Sequence, residues 1–116
     1  MKKVTIWHNP RCSKSRETLA LLQARNIDPE IVEYLRTPPS EAEIARVLAL
    51  LALEPRDLMR SSESVYREHK IDDPSLTQQA LIKVMHQHPI LIQRPIVLAN
   101  NKARIGRPPE VVLEIL

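Results

Sequence analysis

The sequence predicts an α/β fold with a four-stranded mixed sheet flanked by helices. Three observations predict it: two short apolar runs joined by a helix near the amino terminus, a middle region of helices and turns, and a hairpin pattern followed by a last helix. The 116 residues are an ordinary length for one domain. The middle region, about residues 40–88, lacks a linker-like composition, so we interpret it as a helical insertion within a single domain covering 1–116.

The first elements are a strand, a helix and a second strand. Val4, Ile6 and Trp7 predict the first strand, a helix is expected from about Ser13 to Asn26, and Glu30 to Leu35 has the apolar content of a strand. Such an arrangement predicts a parallel βαβ unit, whose ligand site lies at the carboxyl end of the first strand.

The middle region opens with the spacing of a capping box, Ser40 to Glu43, before an apolar helical pattern over 44–51. Shorter helical pieces are expected over 55–60 and 62–69. After a turn at 72–75, Ser75 or Thr77 caps a last insertion helix that Pro89 ends.

The end of the chain predicts a hairpin and a closing helix. Pro95 to Leu98 and Lys102 to Ile105 are the strands, and Asn100-Asn101 is their turn, because asparagine tolerates positive φ. Pro108-Pro109 opens the helix. We expect that helix to pack on the sheet through pairs four residues apart, Val112 with Leu116 and Val111 with Ile115. The order βαβ, helices, ββα is that of a thioredoxin-like fold.

The only cysteine, Cys12, lies where the first loop becomes a helix. The free N–H groups and the positive dipole end of a first helical turn favour thiolate over thiol, and the neighbouring Arg11, Lys14 and Arg16 act in the same direction. Cys12 is therefore a candidate reactive thiol; the alternative is a small buried apolar residue. A single cysteine cannot form an internal disulfide, which favours a reducing compartment and a cytoplasmic location.

Cys12 and Ser15 form a C-x-x-S arrangement that lacks the second thiol of a redox C-x-x-C. Any oxidised form of Cys12 must therefore be resolved by glutathione, a glutaredoxin or another protein thiol. A C-x5-R phosphatase loop would need arginine where Thr18 stands. A metal site is disfavoured, because one cysteine and four scattered histidines have no ligand spacing.

Three further residues lie near the same end of the predicted sheet. His8, as a cation, would stabilise a thiolate, although a loop histidine without a role is an equal alternative. Arg94 and Arg107 lie at strand or helix boundaries; for either arginine taken singly, an ordinary solvated surface position is the favoured interpretation.

The net charge of +3 is mild and does not imply a nucleic acid partner. Eleven of the seventeen basic residues are arginine, which suits planar recognition of oxyanions. No segment approaches the roughly 20 apolar residues that span a bilayer, so no membrane partner is expected.

Five motifs, in this order, resemble those of one known family: His8–Arg16, Tyr34–Pro39, Leu58–Arg60, His88–Val97 and Arg107–Leu113. Together they are similar to the ArsC family, the glutaredoxin-linked arsenate reductases of thioredoxin-like fold. The resemblance covers essentially the whole chain and looks closest to the YfgD-like branch.

This resemblance implies a role for particular residues. Cys12 would be the nucleophile, and Arg60, Arg94 and Arg107 would hold the oxyanion. His8 and Ser15 match positions that help to lower the pKa of the thiol. The remaining matched positions form the substrate loop and its cis-proline: Asn9, Arg11, Ser13, Arg16 and Pro95.

The implied activity is reduction of arsenate, or a similar oxyanion, to arsenite, with glutathione as reductant, a glutaredoxin as partner and no bound cofactor. Two alternatives remain open. One is a monothiol oxidoreductase that acts on glutathione mixed disulfides. The other is a regulator resembling the Spx-type proteins, which bind RNA polymerase; many of those carry a C-x-x-C switch, which is absent here.

Overall fold

In the computed structural model, which describes residues 3–116, four strands form one mixed sheet. The strands are β1 (Val4–Trp7), β2 (Glu30–Val32), β3 (Ile96–Ala99) and β4 (Lys102–Ile105), in the spatial order β2-β1-β3-β4. Strand β1 is parallel to β2 and antiparallel to β3, and β3 is antiparallel to β4. The predicted four-stranded mixed sheet is thus confirmed.

The second strand is shorter than the predicted Glu30 to Leu35. It ends at Val32 because the chain turns at once: the backbone N–H groups of Arg36 and Thr37 both donate to the Glu33 carbonyl, at 2.9 Å each. The third strand runs one residue later than the predicted Pro95 to Leu98.

The predicted hairpin is confirmed. Asn100 and Asn101 form its turn with φ of 54° and 59°, which suits a turn with positive φ at both central residues. The Asn100 side chain donates a hydrogen bond of 2.8 Å to the Ile115 carbonyl, so the turn also holds the end of the chain.

Helix α1 (Ser13–Ala24) and the carboxyl-terminal segment share one apolar core with the sheet. Alternate residues of β1 and β3 supply the sheet side, as expected for a pleated strand. The buried members of this core are Val4, Ile6, Leu22, Val97, Ala99, Val112 and Ile115. Helix α1 ends two residues before the predicted Asn26, which has a left-handed φ of 60°.

The last helix packs against the core of the sheet, as expected, but Val111 of the two predicted pairs is not part of that core. Pro109–Ile115 is a 3-10 helix, and its buried apolar pair is Val112 and Ile115, while Val111 and Leu116 are half-buried. A 3-10 helix has three residues per turn, so residues three apart lie on one face.

The structure divides into two units, one of residues 3–37 with 94–116, described above, and one of Pro38–Gln93. The second contains the predicted insertion 40–88. Its helices are α2 (Glu41–Leu51), α3 (Ser64–Glu68) and α4 (Gln78–Gln87), with 3-10 turns at Pro55–Leu58 and Pro89–Leu91. The assignment of the whole chain to a single domain stays a prediction.

Side-chain caps begin two helices of the second unit. Ser40 and Glu43 form the predicted capping box, with reciprocal hydrogen bonds of 3.1 and 2.9 Å. Thr77, rather than Ser75, caps α4 and accepts from the N–H of Ala80 at 3.1 Å. Within residues 3–116, no helix is long and apolar enough to cross a membrane.

Candidate active site

Residues 8–12 form a tight loop between β1 and α1. The carbonyl of Asn9 accepts from the N–H of Cys12 at 3.0 Å, and its side-chain oxygen accepts from the N–H of Arg11 at 3.0 Å. Asparagine at the first position and proline at the second are the residues that such a turn favours. The Arg16 guanidinium donates to the Pro10 carbonyl at 2.9 Å. These bonds fix the loop that presents the thiol.

Cys12 is the N-cap residue of α1 and is 9% exposed. Its side chain makes no short capping hydrogen bond. Burial raises the pKa of the thiol, but the backbone N–H of Ser15, the Arg94 guanidinium and the backbone N–H of Lys14 together lower that pKa below its ordinary value. The helix start favours the thiolate, as the sequence predicts. The charge that adds to this effect is that of Arg94, and the expected effect of the Arg11, Lys14 and Arg16 side chains stays a prediction.

Two arginines from the hairpin side of the sheet reach Cys12. The Arg94 guanidinium donates to the sulfur, and Nη2 of Arg107 lies 3.8 Å from it. The Arg107 Nε also donates to the Arg94 carbonyl at 2.8 Å, which orients its guanidinium toward the thiol. Arg107 is exposed and water screens its charge, so Arg94, which is half-buried, has the larger effect on the thiol pKa.

Both arginines precede a cis-proline. The Arg94-Pro95 bond is cis, as the resemblance implies, and the Arg107-Pro108 bond is also cis, which the sequence analysis did not predict. Between them, the N–H of Gly106 donates to the Pro95 carbonyl at 2.9 Å. The segments that carry the two guanidiniums are thus bonded to each other beyond the ends of β3 and β4.

His8 and Ser15 lie behind the loop, both buried. His8 Nδ1 and Ser15 Oγ are 2.6 Å apart, and the same hydroxyl accepts from the N–H of Asn9 at 3.0 Å. Burial lowers the pKa of His8; Glu33 opposes this shift and Arg16 adds to it. The neutral imidazole is therefore favoured, and the expectation of a cationic His8 beside the thiolate is not supported. An influence of His8 and Ser15 on the thiol stays a prediction.

Residues 7–115 match the ArsC family. The chain belongs to the ArsC family. The match spans nearly the whole sequence and includes every motif on which the resemblance rested.

Three similar proteins illustrate the relationship. The chain is 53% identical to YfgD of Escherichia coli (strain K12), an uncharacterized protein, over 99% of this chain and 98% of that protein. It is 45% identical to an arsenate reductase of Neisseria meningitidis (serogroup A / serotype 4A, strain DSM 15465 / Z2491), over all of both chains. The solved structure of an arsenate reductase from Vibrio cholerae has a TM-score of 0.96, with 52% identity and 98% of each chain covered. The thioredoxin-like fold is thereby confirmed.

The third predicted anion-binding arginine of this ArsC chain, Arg60, belongs to the second unit. Its backbone N–H donates to the Leu91 carbonyl at 2.7 Å, next to an isolated antiparallel bridge between Met59 and Ile92. Its Nη1 lies 3.5 Å from the side-chain oxygen of Gln93, the residue before Arg94 in the chain. The role of Arg60 at the oxyanion stays a prediction.

The other predicted loop residues have distinct surroundings. Arg11 and Ser13 are exposed, and Arg16 is bonded to the loop backbone. Within residues 3–116, no cluster of three or more His, Cys, Asp or Glu could hold a metal ion.

The environments of two further residues, Glu33 and Gly106, were not predicted from the sequence. Glu33 influences the His8 imidazole from the turn after β2. Gly106 packs against Thr18 and Pro95, where a Cβ atom would lie 2.6 and 2.8 Å from their side chains. Gly106 is the only glycine of the chain, and this alone could have marked it as a position where a side chain does not fit.

Proposed function

We propose that this protein reduces arsenate to arsenite. The observation that carries the proposal is a thiol of lowered pKa with two guanidiniums at its sulfur, one donating to it and one 3.8 Å away. A thiolate that only had to exchange disulfides would not need such a pair. Guanidinium groups match the planar oxygen edges of tetrahedral oxyanions, and the first helical turn adds N–H donors. The arsenate reductases of Neisseria meningitidis and Vibrio cholerae among its relatives support the same substrate.

In the first step, the Cys12 thiolate attacks arsenic and displaces one arsenate oxygen, which leaves as water after protonation. The product is a sulfur–arsenic(V) adduct. Arg94 and Arg107 would balance the charge of the remaining oxygens, and the resemblance to the ArsC family implies the same role for Arg60. Phosphate has a similar shape and charge, so it should compete for the site without being reduced.

The second step requires an external thiol, because Cys12 is the only cysteine of the chain. Attack of a glutathione thiolate on the Cys12 sulfur breaks the sulfur–arsenic bond, whose electron pair stays with arsenic and reduces it from arsenic(V) to arsenic(III). Arsenite leaves, and Cys12 carries a disulfide to glutathione. A glutaredoxin thiol then takes up the glutathionyl group and regenerates Cys12.

The proposal includes a cytoplasmic location, because reduced glutathione and glutaredoxin are available only in a reducing compartment. A free thiol of lowered pKa would also oxidise readily elsewhere.

The test is coupled NADPH oxidation with arsenate, glutathione, glutaredoxin and glutathione reductase. We expect arsenate-dependent turnover in the wild type and none in Cys12→Ser. Arg60→Ala should lower kcat/KM for arsenate about tenfold or more, the loss expected for one charge-assisted contact. Arg46→Ala, which removes an exposed charge from the same unit, should retain the wild-type value.

The same assay separates the second candidate function, a monothiol oxidoreductase. Turnover of a glutathionylated peptide without arsenate, together with no arsenate-dependent turnover, would favour that alternative and contradict the reductase. Competition by phosphate against arsenate would support an oxyanion site.

A further inference from the structure

We propose that a cleft beside the Cys12 loop binds glutathione, the reductant of the proposed function on which this inference rests. The cleft has a volume of about 500 Å³. One wall is residues 8–11, which directly precede Cys12, and the other is Glu33, Leu35 and Arg36, which follow β2. We call it the β1–β2 cleft.

The β1–β2 cleft lies where ligands of parallel sheets are expected, outside the carboxyl ends of two adjacent parallel strands. Its walls are tied together, since the N–H of His8 donates to the Val32 carbonyl at 2.8 Å. Its volume falls within the range of small-molecule sites, roughly 300–1,000 Å³. A cleft of this size can accommodate a tripeptide next to the loop that leads into Cys12.

The charges of the β1–β2 cleft match those of glutathione. Arg11 and Arg36 present two exposed guanidiniums, and Glu33 presents one carboxylate whose side chain is 41% exposed. Glutathione carries the complementary set, two carboxylates and one ammonium group. Glu33 and Arg36 are 3.9 Å apart, and such an exposed pair is held weakly, so both groups remain available to a ligand.

The same charges argue against a second arsenate site. An oxyanion would be repelled by Glu33, whereas a zwitterionic peptide needs that carboxylate for its ammonium group. Leu35, 38% exposed, adds apolar contact area for the peptide chain. The Arg94–Arg107 side of Cys12 and the β1–β2 cleft thus have different chemistry, one suited to the oxidant and one to the reductant.

The test is an NMR titration of the isotopically labelled full chain with S-methylglutathione, in which the sulfur is blocked and no reaction occurs. We expect saturable shifts at residues 8–11 and 33–36. Arg36→Ala and Arg11→Ala should each raise Kd about fivefold, the effect of one partly exposed charge-assisted contact. Arg25→Ala, which removes another exposed charge at the end of α1, should leave Kd unchanged.

The inference is overturned if S-methylglutathione causes no saturable shifts, if the shifts lie elsewhere, or if Arg25→Ala weakens binding as much as Arg36→Ala. Since the titration contains no arsenate, it is independent of turnover. If the protein binds S-methylglutathione but does not reduce arsenate, the proposed reductase function is refuted and the proposed glutathione site is retained. If the protein reduces arsenate and the KM for glutathione is the same in Arg11→Ala, Arg36→Ala and the wild type, only the glutathione site in the β1–β2 cleft is refuted.

Discussion

Gly106→Ala tests whether the packing beneath the arginines supports the thiol site. A Cβ atom at this position would lie 2.6 Å from Thr18 Oγ1, 2.8 Å from Pro95 Cγ and 3.3 Å from Thr18 Cγ2. Gly106 does not have positive φ, so alanine suits the backbone and the cost is steric alone. The neighbours cannot move away freely: Thr18 is buried, and its hydroxyl donates to the Lys14 carbonyl at 2.8 Å.

The expected magnitude is a balance of two effects. Overpacking a buried site costs about 1–3 kcal/mol. Alanine restricts the unfolded chain more than glycine does and returns about 0.4–1 kcal/mol. The difference of these ranges is about 0–2.6 kcal/mol. Since two of the contacts would be shorter than 3.0 Å, we expect a net loss in free energy of unfolding of about 1–2 kcal/mol, equivalent to a decrease in Tm of roughly 4–8 °C for a chain of this size.

Urea unfolding, followed by the fluorescence of the single buried tryptophan, Trp7, measures this loss. The double variant Gly106→Ala with Thr18→Ala removes two of the three close contacts. It should therefore be less destabilised than the sum of the single variants by about 1 kcal/mol. Strict additivity, or a Gly106→Ala protein as stable as the wild type, would refute the packing argument. Arsenate turnover should fall in Gly106→Ala, because Pro95 and Arg107 move with their neighbour.

Three other predictions concern the thiol, the histidine and the hairpin. Titration of Cys12 by thiolate absorbance should give a pKa below that of a free cysteine; Arg94→Ala should raise it more than Arg107→Ala, and equal effects would contradict the assigned role of burial. Because burial lowers the pKa of His8 below its ordinary 6.5, the folded state binds its proton less well than the unfolded state, so stability should decrease as the pH falls below about 6.5. His8→Gln should remove that part of the pH dependence in urea unfolding, and an unchanged profile would count against it. Asn101→Gly should stabilise the hairpin by about 0.5 kcal/mol in thermal unfolding, because φ there is 59°, whereas an equal loss would show that the asparagine side chain matters more than the backbone.

Local signals predicted the elements whose partners are near in sequence. The Asn100-Asn101 turn, the limits of β4 and the Ser40–Glu43 capping box depend on residues within a few positions of each other. The errors occur where longer-range packing decides. Strand β2 has one sheet neighbour, β1, and ends when the chain turns at Glu33. The last helix is a 3-10 helix that buries Val112 and Ile115 against the sheet. The spacing of the apolar residues alone could not distinguish this 3-10 helix from an α-helix.

In the candidate site, too, local features could be predicted from the sequence and features that depend on long-range packing could not. Cys12 could be identified from its place before a helix, since the helix start is a local feature. The protonation preference of His8 depends on burial and on Glu33, which a linear pattern does not reveal. The packing of Gly106 against Thr18 joins residues far apart in the chain.

The sequence by itself identified a candidate nucleophile and predicted its need for an outside thiol, because one cysteine at a helix start and the absence of a second are properties of residue type and order. The order of five motifs along the chain likewise indicated the family. Only the tertiary structure decided which arginine acts on that thiol and what lies beside it. Arg94 and Arg107 reach Cys12 through an antiparallel hairpin, and the β1–β2 cleft arises where two parallel strands end. Electrostatic effects depend on distance and burial, and these are fixed only when the sheet brings separated segments together.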